Sequence, residues 1–331
     1  AEAYLERVVH RARKEGSSAT AALAAANLAE MLFRSGRWAE AWPLTEEVLA
    51  GAELALQRAW ANAIVAYREA ARDADPAASR QRAEDALREG ERLGAAMVIM
   101  FASHAIAMSA LPTGDYGVAA TALDRVAAIT AAGGAREPGI TWWQPDHIEA
   151  LWRVGRGTDA RIALARYDED AARSRRPSAL AGAQRSRALL AAASDEMETS
   201  AQNAVDRLAA LPCPFEVGRT LLVRAERRAT FGDLELARAD AREAMVLFAS
   251  LRAAPWEAKA RQMLATDDPF APLTPAERRV VDIIVAGRTN KEAASDLGLG
   301  VRTIDFHLRS AFRKLGVSNR TELAAAALRP R

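Results

Sequence analysis

Short turns recur along residues 1–270 at a nearly fixed interval, and that interval restricts the fold more than any other feature of the sequence. Ser35-Gly36-Arg37-Trp38, Thr113-Gly114-Asp115-Tyr116, Val154-Gly155-Arg156-Gly157 and Phe231-Gly232-Asp233-Leu234 each follow an apolar run and precede another with Ala at helical spacing. Gly36 and Gly114 lie 78 residues apart, Gly114 and Gly155 41, and Gly155 and Gly232 77. Halving the long intervals predicts two further turns near 75 and 194. There Asp73-Ala74-Asp75-Pro76 and Ser194-Asp195-Glu196 carry turn and helix-cap chemistry. Six turns spaced by about 39 residues predict stacked hairpins of two helices each.

The composition agrees with an all-α chain. Ala supplies 79 of the 331 residues, β-branched residues are sparse, and aromatics make up 6%. Half of the residues are apolar and 27% charged, which excludes a disordered or collagen-like chain. Gly-Asp-Tyr-x-x-Ala-Ala at 114–120 and Gly-Arg-Trp-Ala-Glu-Ala at 36–41 resemble a helix start of the tetratricopeptide repeat. Residues 1–265 are therefore read as a tetratricopeptide-like α-solenoid that senses or interacts.

Several classes drop out. The single cysteine, Cys213, excludes a disulfide framework within the chain and a Cys-ligated zinc site. His10, His104, His147 and His307 show no metal-ligand spacing. No nucleophile–base set, marked carboxylate pair or phosphate loop supports an enzyme. Residues 93–114 lack Asp, Glu, Lys and Arg, but His104, Ser103 and Ser109 interrupt them, so a buried helix is expected rather than a membrane span.

A solenoid offers a concave groove, and seven Trp residues are candidates to line it. Trp38, Trp152 and Trp256 read as packing residues at repeat junctions. Trp142 and Trp143 stand side by side before a helix start at Gln144-Pro145-Asp146. Adjacent rings on a loop do not easily share one core, so at least one is expected to be exposed, for a ligand or partner.

The charge is distributed unevenly. Residues 273–331 hold 11 Lys+Arg against 6 Asp+Glu, while residues 1–272 hold 34 against 37. A basic tail on a faintly acidic body is the pattern of a nucleic-acid-binding module attached to something else. Residues 266–272, with Asp267-Asp268-Pro269 and Pro272, read as a linker. Four punctuated helices follow. Thr274-Pro275-Ala276-Glu277 and Thr289-Asn290-Lys291-Glu292 are capping boxes, and Gly287, Gly298 and Gly316 are stops. The third helix carries Arg302, Thr303, Arg309, Arg313 and Lys314, with Val301, Ile304, Leu308, Phe312 and Leu315 as its expected core face. Two short helices joined by a glycine turn, the second rich in Arg, predict a helix-turn-helix over 273–331.

Leu273-Thr274-Pro275-Ala276-Glu277-Arg278, Gly287 to Ala294, Arg302-Thr303-Ile304-Asp305-Phe306-His307 and Arg313 to Arg320 closely resemble the LuxR-type helix-turn-helix. A looser resemblance, through Trp143-Gln144-Pro145, Pro214-Phe215-Glu216 and Phe248 to Trp256, points to the helical arm of the large ATP-binding, MalT-like LuxR regulators. This chain has no P-loop, so no cofactor is expected in it, and ATP only if a further N-terminal domain exists. The resemblance implies a cytoplasmic, non-enzymatic transcription regulator that binds double-stranded DNA as a homodimer, with RNA polymerase as a further contact and no membrane partner. In it, the solenoid senses a small-molecule or protein effector and controls assembly on DNA. An interaction scaffold with weak or vestigial DNA binding is the alternative.

Residue by residue, the resemblance implies base reading by Asp305, Phe306 and Arg309. Backbone contacts fall to Asn290, Lys291, Arg302 and Thr303, joined by the basic Arg313 and Lys314. Dimer contacts fall to Glu322, Leu323 and Ala326. Gly300 stands where the family usually has Ser, and Asp305 where it often has Lys. Asp305 could accept from cytosine N4, or pair with Arg309 one turn on.

Overall fold

In a computed structural model of the protein, residues 2–52, 54–73, 75–133, 137–138, 141–265 and 273–328 are described. They form eighteen α-helices, and no strand occurs among them. The chain divides into two compact units, residues 1–261 and 262–331. The expected linker at 266–272 lies outside the described residues.

After α1 (Glu2–Lys14), the first unit is a series of six hairpins. They are α2 (Ser18–Arg34) with α3 (Trp38–Ala50), α4 (Ala55–Arg72) with α5 (Pro76–Leu93), and α6 (Ala96–Ala110) with α7 (Tyr116–Ala132). They continue with α8 (Trp143–Arg153) and α9 (Gly157–Ser174), α10 (Pro177–Leu190) and α11 (Ser194–Ala209), and α12 (Pro214–Phe231) and α13 (Leu234–Leu251), followed by α14 (Ala254–Ala265). Every expected turn marks the junction between the two helices of one hairpin. Near 194, however, the connection is residues 191–193, and Ser194, Asp195 and Glu196 already form the first turn of α11, whose cap position Ala193 has no side-chain cap bond. Ala74 itself is outside the described residues. At 75 the side chain of Asp75 accepts from the Ala77 amide at 3.0 Å, and Pro76 takes the first helical position, where its missing N–H costs nothing.

Small residues set how closely the helices approach. Ala25, Ala29, Ala61, Ala63, Ala102, Ala181 and Ala225 are fully or almost fully buried, which brings neighbouring backbones together. The charge-free stretch over 93–114 is α6, buried from Ala102 to Ala110, and no described helix is long and apolar enough to cross a membrane.

The hairpins wind so tightly that the first meets the sixth. Phe33 stacks on Trp38 at 4.5 Å, Trp38 packs on Phe215 of α12 at 5.4 Å, and Phe215 meets Phe248 and Trp256 at 5.8 and 5.7 Å. The interior is filled with charge as well as rings. Asp146 of α8 is fully buried and receives Arg219 at 2.6 Å, His104 at 3.0 Å and Arg185 at 3.3 Å. Glu149, one turn on, meets Arg219 at 3.4 Å and Lys259 at 3.8 Å. Burial alone would push the Asp146 carboxyl up, but the Arg219 guanidinium and the His104 and Arg185 contacts override it and hold it well below the usual carboxylate range.

The interior therefore differs from the expected Trp-lined groove. Trp38 and Trp256 are buried packing residues, and Trp152 is half-buried against the cluster of Ile148, Leu151 and Tyr167. Trp143 is not on a loop: it opens α8, is 8% exposed and lies 5.7 Å from the His147 ring. Trp142 is half-buried beneath the Arg34 guanidinium, 4.7 Å from its ring centre. Neither ring is exposed, because the helix start and Arg34 cover them. Beside Trp142 the cavity is only about 20 Å³, room for roughly one water.

Candidate nucleic-acid interface

The second unit contains α15 (Pro275–Val285), α16 (Asn290–Leu297), α17 (Val301–Leu315) and α18 (Arg320–Leu328). Local sequence chemistry fixes each start. Thr274 Oγ1 accepts from the Glu277 amide at 3.3 Å while the Glu277 carboxylate accepts from the Thr274 amide at 2.8 Å. Thr289 and Glu292 repeat this reciprocal arrangement at 3.2 and 2.8 Å. Asn319 caps α18, accepting from the Glu322 amide at 2.9 Å, and the Glu322 carboxylate accepts from the Ser318 amide at 2.7 Å. The stops after α15, α16 and α17 are Gly287, Gly298 and Gly316, each at positive φ.

One core holds the four helices. Val280, Val281, Ile284, Ala293, Ala294, Ile304, Leu308, Ala311 and Leu323 are buried together. The inner face of α17 is therefore Ile304, Leu308 and Ala311, with Phe312 and Leu315 packed against it. Val301, expected on this face, is instead 44% exposed because it stands at the free first turn.

The opposite side of α17 is a stripe of exposed residues. Arg302, Phe306, Arg309 and Arg313 follow one another at intervals of four, three and four, which places them on one helical face. All four are exposed, Phe306 at 69% of its surface. Thr303 is exposed in the first turn, and Lys291 is exposed on α16. Three cations and a large apolar ring on a rigid helix, backed by a packed core, can contact phosphates and base edges from one side.

Other expected site residues are placed differently. Asn290 does not stand free for the backbone: it donates to Asp305 at 2.5 Å and accepts from Arg320 at 3.1 Å. Asp305 is half-buried and takes Asn290 as its partner instead of Arg309. Lys314 donates to the Glu277 carboxylate at 2.7 Å, tying α17 to α15. Leu323 is fully buried in the domain core and is unavailable for a contact between copies. Its neighbour Glu322 serves as a cap, and the side chain of Ala326 lies outside the described residues. Sequence reasoning missed the Lys314–Glu277 and Arg320–Asn290–Asp305 links, which join residues 15 to 37 positions apart and leave no local signal. Among the described residues, no group of three His, Cys, Asp or Glu side chains is placed to hold a metal ion.

A tight helix-turn-helix with a basic stripe on the outer side of its second helix defines the DNA-binding domain of a transcription regulator. Residues 271–327 match the GerE family, the bacterial regulatory proteins of the luxR family. The chain belongs to this family through that domain. It is 39% identical over 57 residues to the spore germination protein GerE of Bacillus subtilis, covering 17% of this chain and 77% of that protein. It is 44% identical over 57 residues to the transcriptional regulatory protein MctR of Rhizobium johnstonii, covering 17% and 27% of the two chains. With the transcriptional regulatory protein UhpA of Escherichia coli the identity is 45% over 53 residues, covering 16% and 27%. The chain thus spans about a quarter of the length of MctR and UhpA.

Proposed function

We propose that this protein regulates transcription by binding duplex DNA sequence-specifically through the outer face of α17. The observation that carries the reading is the stripe Arg302, Phe306, Arg309 and Arg313, which stands opposite the packed face Ile304, Leu308 and Ala311. In this reading Arg309 and Phe306 meet base edges in the major groove, the guanidinium suiting guanine O6 and N7 and the ring suiting a thymine methyl. Lys291, Arg302, Thr303 and Arg313 hold the phosphate backbone and set the register. Two copies bind a two-fold site, with half-sites about one helical turn apart.

The repeat unit is the effector-receiving part of this proposal and governs how two copies assemble on DNA. Its interior is packed, but an apolar cleft of about 510 Å³, walled by Leu23, Val48, Leu56, Trp60 and Met97, offers room for an effector. Trp142 and Trp143 are buried or covered and serve this role only if the interior opens.

Selection of duplexes from a randomised pool by the full chain tests the proposal. The expected result is enrichment of a two-fold motif with centres about one helical turn apart. A pool that stays random after repeated rounds contradicts it.

A further inference from the structure

Asn290 is tied to helices on either side of it. Its side-chain N–H donates to Oδ1 of Asp305 at 2.5 Å, and its side-chain oxygen accepts from Nη2 of Arg320 at 3.1 Å. The same nitrogen of Arg320 donates to the main-chain carbonyl of Arg288 at 2.9 Å. The two partners fix which way the amide points. Turned over, it would set its oxygen against a carboxylate and its N–H against a guanidinium. The first residue of α18 thus holds the first residue of α16, which holds the carboxylate in the second turn of α17.

We propose that Arg320 is a specificity-positioning residue which, acting through Asn290, fixes the Asp305 carboxylate so that it selects one base pair. The inference rests on the DNA-binding reading above. A carboxylate only accepts. With Oδ1 engaged by Asn290, Oδ2 is left to accept from a base amino group in the major groove. Cytosine N4 is such a donor, whereas adenine offers N6 beside N7, an acceptor that repels a carboxylate. The torsion that swings a carboxylate is broad and has no strong preference of its own. Released from Asn290, Asp305 is free to turn toward Arg309, one turn along the same helix, and the pairing would occupy both residues. The amide prevents this, and Arg320 holds the amide.

This role differs from a phosphate contact by Arg320 or Asn290. Loss of a phosphate contact weakens all sequences alike, while loss of a positioning residue flattens the preference at one base pair. The test uses the full chain, duplexes selected from a randomised pool, and affinities for the best duplex and its single-pair variants. Wild type is expected to favour cytosine at one pair per half-site by about tenfold. Arg320→Ala is expected to lower that preference to about threefold or less. Preferences at the remaining pairs, and affinity for random duplex, stay within about twofold. Asp305→Ala abolishes the same single preference, and adding Arg320→Ala to it changes nothing further, because the two residues act in series. Arg320→Lys, which keeps donors at that place, retains most of the preference. Should Arg320→Ala melt the domain, Asn290→Ser gives the same readout from the middle of the chain of bonds. An equal loss on all duplexes, or an intact cytosine preference in Arg320→Ala, overturns the proposal. A wild-type protein that selects no duplex overturns the DNA-binding reading itself.

Discussion

Lys314 Nζ lies 2.7 Å from Oε2 of Glu277, so the carboxylate that caps the start of α15 also pins the last turn of α17. The Lys314 ammonium, the Thr274 amide and the Ser310 hydroxyl together hold the Glu277 carboxyl down to about 2. The folded value lies below the unfolded one of about 4.3, so the stabilisation is complete above that pH and is lost as pH falls toward 2. A carbon-detected NMR titration should find the Glu277 midpoint near 2, and Lys314→Ala should move it upward. A wild-type midpoint near 4 would show that the bond does not persist in solution.

The interior of the repeat unit leads to a second expectation. Arg219 and Asp146 are both almost fully buried, and Arg219 also serves Glu149. Arg219→Met keeps much of the volume but leaves Asp146 to Arg185 and His104 alone. Removing one partner of a buried pair costs about 3–5 kcal/mol. Urea unfolding followed by Trp fluorescence should show a loss of about that size, and a loss under about 1 kcal/mol contradicts the pairing.

Two glycines separate backbone strain from packing. Gly36 and Gly114 both sit in hairpin turns at left-handed φ, +77° and +84°. Replacing either by Ala incurs the conformational cost of about 1 kcal/mol. At Gly36 a Cβ would also overlap Cγ of Pro214 and approach Leu251 Cδ2 to 3.2 Å, whereas at Gly114 the nearest atom is 4.0 Å away. Gly36→Ala should therefore cost roughly 1–3 kcal/mol more than Gly114→Ala. Equal melting temperatures for the two variants would mean that the first and sixth hairpins do not meet in solution.

The sequence revealed what local chemistry decides. Turn residues at a constant interval announced six hairpins, and reciprocal Thr–Glu caps with glycine stops marked the helices of the DNA-binding domain to within a residue or so. Contacts between distant residues were not legible. The number of residues per repeat does not fix how tightly repeats wind, so the meeting of Trp38 with Phe215, which fills the groove, could not be foreseen. The resemblance alone assigns Leu323 to a dimer contact, and nothing local in the sequence shows that it closes the core of its own domain. Asp305 had an obvious candidate partner one turn away in Arg309, but Asn290, on another helix, took that place.

Affinity for a selected duplex and for random duplex, measured at several salt concentrations for wild type, Lys291→Ala and Arg309→Ala, tests the central claim most directly. Wild-type affinity should fall with salt at a log–log slope near −4, as about four to five phosphates are neutralised per domain. Lys291→Ala should weaken both duplexes alike and reduce the slope by about 1, while Arg309→Ala should lose roughly 1–3 kcal/mol of discrimination at one base pair. Affinity indifferent to salt, or equal losses on selected and random duplex for both variants, would contradict the assignment of α17 as the helix that reads DNA.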